Sequence, residues 1–159
     1  MQDSSKRIAL VTGANKGIGF EIARRLGQAG LTVLLAARDA TRGEAAAELL
    51  RAENLDVRHV RLDVTQGAAI EAVAATIADE FRRLDVLINN AGIIDPADGP
   101  PSAAEVDAVR RAMETNFIGA LAVTRAMLPS YEWRWHLVSD SHCLRPSTRS
   151  AGLCPGVLR

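Results

Sequence analysis

The chain alternates between short apolar runs and longer stretches whose apolar residues recur at helical spacing. Ile8-Ala-Leu-Val-Thr12 is a short, mainly apolar run that stops at a glycine-rich turn. Across residues 18–30, Ile18, Ile22, Leu26 and Ala29 fall on one side of a predicted helix, with Glu21, Arg24 and Arg25 elsewhere. Gly30 is suited to end that helix. Residues 31–37 form a second apolar run, too short for a stable helix and suited to a strand buried on both faces. An alanine-rich helix is expected at 41–53, an alternating strand at 57–62 and an amphipathic helix at 66–82. Leu84-Asp-Val-Leu-Ile88 reads as a fourth strand.

Strands that alternate with helices of this length predict an α/β fold, a parallel sheet covered on both faces in the doubly wound manner. Residues 93–102, with Pro96, Pro100, Pro101 and Gly99, form a loop, and 103–128 is a long helical stretch ended by Pro129. There the character of the chain changes. The last thirty residues hold both tryptophans, the tyrosine, both cysteines and two of the three histidines, with a single alanine. His136-Leu-Val-Ser139 has the makings of a fifth strand, but Asp140 follows where a buried strand wants an apolar residue. No periodicity runs through 145–159. The sequence therefore divides into a domain at 1–129 with four to five strands and a divergent tail at 130–159.

Composition narrows the picture. The chain has 159 residues, 48% hydrophobic and 24% charged, as in an ordinary soluble globular protein. A formal net charge of zero argues against nucleic acid or an anionic membrane as a partner held by bulk electrostatics. No apolar run approaches the roughly 18 residues that span a bilayer, and the polar N-terminus is not followed by the apolar h-region of a secretory signal. Cys143 and Cys154 allow a disulfide, but two free thiols of a cytosolic protein is the plainer reading. No metal ligands are assigned.

The chemistry begins at Thr12-Gly-Ala-Asn-Lys-Gly-Ile-Gly19, between the first strand and the first helix. Gly13, Gly17 and Gly19 allow a tight turn and let a pyrophosphate approach the backbone at a helix N-terminus, where free N–H groups favour an anion. This G-x-x-x-G-x-G spacing resembles the cofactor fingerprint of the short-chain dehydrogenases/reductases. Three further segments resemble that family in order. Leu62-Asp-Val64 follows the third strand, where the resemblance gives Asp63 and Val64 an adenine contact. Asn89-Asn-Ala-Gly92 follows the fourth strand and implies a cofactor-lining role for Asn90, Ala91 and Gly92. Thr115-Asn-Phe-Ile-Gly119 resembles the helix segment whose asparagine, here Asn116, belongs to the catalytic set. The resemblance covers about residues 5–129 and implies a Rossmann-like sheet. Each segment alone has a plainer reading: Asp63 caps the next helix, Asn90 and Gly92 form a turn, and Asn116 is a structural amide.

Charge argues for the cofactor. An acid at the end of the second strand would bind the ribose hydroxyls of NAD and repel a 2′-phosphate. Here Arg38 follows Ala36-Ala37, and Lys16 lies inside the glycine turn beside Asn15 and Ile18. These cations favour NADP(H) over the alternative NAD(H), and Asp39 is expected to cap the following helix instead. The segment 37–43, with Asn15-Lys16, resembles the NADPH-dependent carbonyl reductases, which implies a small-molecule carbonyl substrate.

The family reduces a carbonyl with a tyrosine whose phenol donates the proton, its pKa lowered by a lysine four residues on. The tyrosine here is Tyr131, position 135 is Trp135, and Lys16 is the last lysine, so the chain contains no Tyr-x-x-x-Lys. Ser141 lies nearest the place of the family's serine. The expectation is the NADP(H)-binding portion of an oxidoreductase, cut short or altered after Pro129 and catalytically incomplete. The alternatives are a non-enzymatic NADP(H)-binding sensor or partner protein, and an enzyme using His136 or His142 as substitute acid. A sheet ending at its fourth or fifth strand leaves an edge open to self-association.

Overall fold

The computed structural model describes residues 6–97, 100 and 102–130. The expected fifth strand at 136–139, Ser141 and both cysteines lie outside the described residues. Four strands and their helices follow in strict alternation: β1 (Ile8–Thr12), α1 (Gly17–Gln28), β2 (Thr32–Ala37), α2 (Ala40–Ala52), β3 (Val57–Arg61), α3 (Gly67–Glu80) and β4 (Val86–Ile88). A composite helix then runs through α4 (Val106–Met113), a π-helical segment Glu114–Gly119 and α5 (Ala120–Met127), closing in a 3₁₀ turn at Leu128–Ser130.

The strands are parallel in the order β3-β2-β1-β4. β1 and β2 are buried at every residue, as an all-apolar run in a doubly covered sheet requires. Their side chains divide by parity. Ile8, Leu10, Leu34 and Ala36 enter one core with Ile70, Val73 and Ile77 of α3 and Val123 and Met127 of α5. Ala9, Val11, Val33 and Leu35 enter the other core, with Ala23 of α1 and Ala46, Ala47 and Leu50 of α2. The period of two along each strand thus feeds two helix layers.

Two helices depart from the pattern read in the sequence. α1 was expected to bury Ile18 with Ile22, Leu26 and Ala29, yet Ile18 is 77% exposed. Gly19, Ala23 and Gly27 are the residues that α1 buries, and Ile22 and Leu26 pack at the margin. Gly19 lies against Asn90 and the Gly13–Ala14 turn, and Gly27 against Leu55 before β3, so the close contacts of α1 are made by small residues four apart. The stretch expected as one helix at 103–128 starts at Val106 and changes hydrogen-bond register at Glu114. On α2, Asp39 is the N-cap, accepting from the Arg42 N–H at 2.9 Å, as expected.

The base of the sheet is held by Asp85, just before β4. Its carboxylate accepts the Ile8 N–H at 2.8 Å and two donors from Arg83, Nε at 2.9 Å among them. Burial works to raise the pKa of Asp85. The Arg83 and Ile8 hydrogen bonds and the charges of Arg83 and Arg7 outweigh it and hold the carboxyl below its ordinary value of 3.8. A depressed carboxylate stabilises the fold at any pH above that ordinary value, and the contribution is lost as pH falls through the lower folded value. Asp85→Ala is expected to cost about 1–3 kcal/mol near neutrality, because it strands the Ile8 N–H. Urea denaturation at pH 7 and at pH 3 checks this, with the gap between variant and parent narrowing at the lower pH.

Candidate functional site

The topology opens a crevice at one place. β2 and β4 lie on opposite sides of β1, so the connections leaving β1 and β4 at their C-terminal ends turn to opposite faces. Ligands of doubly wound sheets bind at such a reversal. The two connections are joined by a compact knot. Thr12 is 1% exposed, and its Oγ1 accepts from the N–H groups of Asn90 and Ala91, both at 3.0 Å. Asn90 returns the contact through Nδ2, which donates to the carbonyls of Thr12 at 3.0 Å and Gly13 at 3.1 Å.

This knot explains two of the glycines. Gly13 has φ of +64°, and a Cβ there would stand 2.8 Å from Ala91 Cα. A Cβ on Gly19 would collide with Asn90 Nδ2. Gly17 is different: its φ is +60°, and nothing lies within 4 Å of where a Cβ would be. The turn therefore meets open space there, at the start of α1. The N-cap of α1 is Lys16, with no side-chain capping bond and no acid in the first turn. The first N–H groups of the helix are left to whatever anion approaches.

The rim carries the charges. Arg38 is exposed just beyond β2. Asp63 Oδ1 accepts from Thr65 N–H at 3.0 Å and Thr65 Oγ1 at 2.7 Å, so it shapes the turn before α3, whose N-cap is Gln66. Burial tends to raise the pKa of Asp63, and the Thr65 bonds and the charge of Arg38 outweigh it and hold the carboxyl low. Val64 is buried, packed where Gly119 leaves room for it. Asn15 and Lys16 line a cleft of about 470 Å³ with Phe20, Ala45, Ala46, Leu49 and Arg42. Arg42 escaped the sequence reading. Its position one turn into α2 shows it beside Lys16 only once the two helices are packed, although its spacing from the Asp39 cap hinted at a rim position.

Asn116 sits in the π-helical segment, and its amide is engaged at both ends. Oδ1 accepts the Ile93 N–H at 2.8 Å, and Nδ2 donates to the Ile93 carbonyl at 2.9 Å. Gly92, just before Ile93, would bring a Cβ to 3.3 Å from the same oxygen. Asn89 donates to Thr124 Oγ1 at 2.9 Å, a second tie between the β4 connection and the composite helix. The structure thus gathers Gly13, Asn90, Ala91, Gly92 and Asn116 around one connection, with Lys16, Arg38 and Asp63 along the β1–β2 side. Among the described residues no group of three or more His, Cys, Asp or Glu is placed to hold a metal ion. No described helix is long and apolar enough to cross a membrane.

The short chain dehydrogenase profile matches residues 7–135. The chain belongs to that family. Carbonyl reductase [NADPH] 1 of Sus scrofa is 44% identical over 140 residues, which cover 87% of this chain and 47% of that protein. The (-)-isopiperitenone reductase of Mentha piperita is 44% identical over 117 residues, 70% of this chain and 36% of that one. Among solved structures, an actinorhodin polyketide ketoreductase with NADPH superposes with a TM-score of 0.74 at 36% identity, covering 80% of this chain and 48% of its own. The chain spans about half the length of the curated carbonyl reductases it matches.

The knot yields a direct expectation. Thr12→Val keeps the shape but leaves two half-buried N–H groups without their acceptor, at a cost of about 2–4 kcal/mol. Thr12→Ser should retain most of the stability. Amide hydrogen exchange at Asn90 and Ala91 reports the site itself and should quicken in the valine variant before global unfolding does.

Proposed function

We propose that this chain is the NADP(H)-binding portion of a cytoplasmic short-chain oxidoreductase that moves hydride between the cofactor and a small carbonyl or alcohol substrate. The observation that carries the reading is the uncapped N-terminus of α1, open above Gly17 and flanked by Lys16. A diphosphate is matched there by backbone N–H groups and by space that any side chain would fill. On the β2 side, Arg38, Lys16 and Arg42 suit a 2′-phosphate. Asp39, the nearest acid, is occupied in capping α2 and pairing with Arg42 at 3.7 Å. The relatives named above for NADPH share this stretch of chain, which supports NADP(H) over NAD(H).

In this reading Gly13, Asn15, Gly17, Ile18 and Gly19 form the turn over the diphosphate, and Asp63 with the Val64 backbone borders the adenine. Asn90, Ala91 and Gly92 line the β4 side. When bound, the cofactor supplies the hydride. Asn116 acts by holding the Ile93 peptide, since both ends of its amide are used there. Ser141 would orient the carbonyl. The domain at 1–129 is the binding unit and 130–159 a separate tail. The proton-donating step has no Tyr-x-x-x-Lys to perform it in these 159 residues, so the chain is catalytically incomplete, and β3 and β4, the outer strands of the sheet among the described residues, favour self-association.

NADPH is expected to bind at least about tenfold more tightly than NADH, with Arg38→Asp abolishing or reversing the difference, because a guanidinium–phosphate contact is worth about 1.5–3 kcal/mol. Titration of both cofactors by fluorescence checks this, and equal affinities in the unmutated chain would overturn it. Carbonyl reduction by the chain alone is expected to be undetectable against a panel of aldehydes and ketones. Steady turnover that vanishes in His136→Ala or His142→Ala would instead establish a substitute acid.

A further inference from the structure

Ile94 is 90% exposed, although burying such a side chain is worth about 1.5–3 kcal/mol. The backbone on either side of it is pinned. Before it, the Ile93 peptide is clamped at both polar atoms by Asn116. After it, Asp95 turns inward to 8% exposure and accepts Arg111 Nε at 2.7 Å, while its other oxygen accepts the Ala97 N–H at 3.0 Å. Both pins come from the same composite helix, and the change to π-helical register lies between them. A loop free to relax would fold the isoleucine down and turn the carboxylate out. The observed arrangement is the reverse.

We propose that the Asp95–Arg111 ion pair is a positioning device that holds Ile94 outward as an apolar wall for the half of the cofactor on the β4 side of the crevice. The proposal rests on the cofactor reading above. In a doubly wound sheet the adenosine half of a dinucleotide lies over β1 and β2, so the β4 side receives the other half. Asn116 alone fixes the loop at Ile93 but leaves the chain beyond it free to swing. Arg111 removes that freedom. Arg111 and then the Ala97 N–H hold the Asp95 carboxyl below its ordinary range. Asp107 and Glu105 are the other acids that act on Arg111.

The test compares two ligands, NADPH and adenosine 2′,5′-bisphosphate, which lacks the half in question. They are titrated into the full chain and into Arg111→Ala, Arg111→Lys and Ile94→Ala. Arg111→Ala and Ile94→Ala are each expected to weaken NADPH about three- to tenfold and to leave the bisphosphate within about twofold. Arg111→Lys should recover most of the loss. Unchanged NADPH affinity in Arg111→Ala would overturn the proposal, as would equal weakening of both ligands, which marks a merely structural pair. An unmutated chain that binds both ligands equally well would also overturn it, because the β4 side would then contribute nothing. Failure of the unmutated chain to bind either ligand would overturn the cofactor reading itself.

Discussion

The Thr12 hydroxyl is the constraint from which the rest of the site follows. One buried oxygen accepts two N–H groups from the connection after β4, and Asn90 repays both carbonyls of the turn after β1. Parallel neighbours in a sheet share hydrogen bonds along their length, but their outgoing connections have no such tie. Here they are joined, and the joint fixes the spacing between the glycine turn and the β4 side. Gly13 and Gly19 must be glycine because Ala91 and Asn90 occupy the space of a side chain. Gly17, outside the knot, is glycine for its positive φ and for the open ground above it.

From that joint the order spreads along one path. Asn90 and Ala91 lead to Gly92 and Ile93, Ile93 is gripped by Asn116, and Asn116 lies where the composite helix changes register. A π-helical segment widens the turn and is common where a helix is bent to a purpose. Here it lies between Arg111 and Thr124, the two other helix residues that reach back to the β4 connection. The helix is therefore fitted to the loop at three points, and its irregular stretch lies under the middle one.

The sheet was legible because burial on both faces leaves an unmistakable record. β1 and β2 are apolar runs with no alternation, and the structure buries every residue of them. The glycine turn and the Asn89-Asn-Ala-Gly92 segment were legible for a related reason, since close backbone approach admits few residue types. The packing face of α1 was not legible. Hydrophobic periodicity selects large residues, whereas the residues α1 buries are Gly19, Ala23 and Gly27, and Ile18 is exposed. The register change at Glu114 was equally hidden, because local propensity does not mark it and the Asn116–Ile93 hydrogen bonds made from that segment are tertiary. Arg42 was missed because Asn15, Lys16 and Phe20, which line the same cleft, come from the glycine turn and α1, distant from it in sequence.

The acid at the end of β2 is where sequence and structure meet most usefully. Asp39 stands one residue beyond the place from which a carboxylate reaches ribose hydroxyls, and a sequence reading can only count that offset. The structure adds what the carboxylate does. Oδ1 accepts the Arg42 N–H at 2.9 Å, and Oδ2 faces the Arg42 guanidinium at 3.7 Å. A carboxylate that caps a helix and neutralises a neighbour presents little field to the crevice. The balance there is set by Lys16 and Arg38, with Arg42 half-paired and Asp63 turned to Thr65. Removing the cap of α2 would do more than lose a helix end. It would also take away the counter-charge of Arg42 and make the rim more positive, so the stability of α2 and the charge over the β1–β2 side are governed by one side chain.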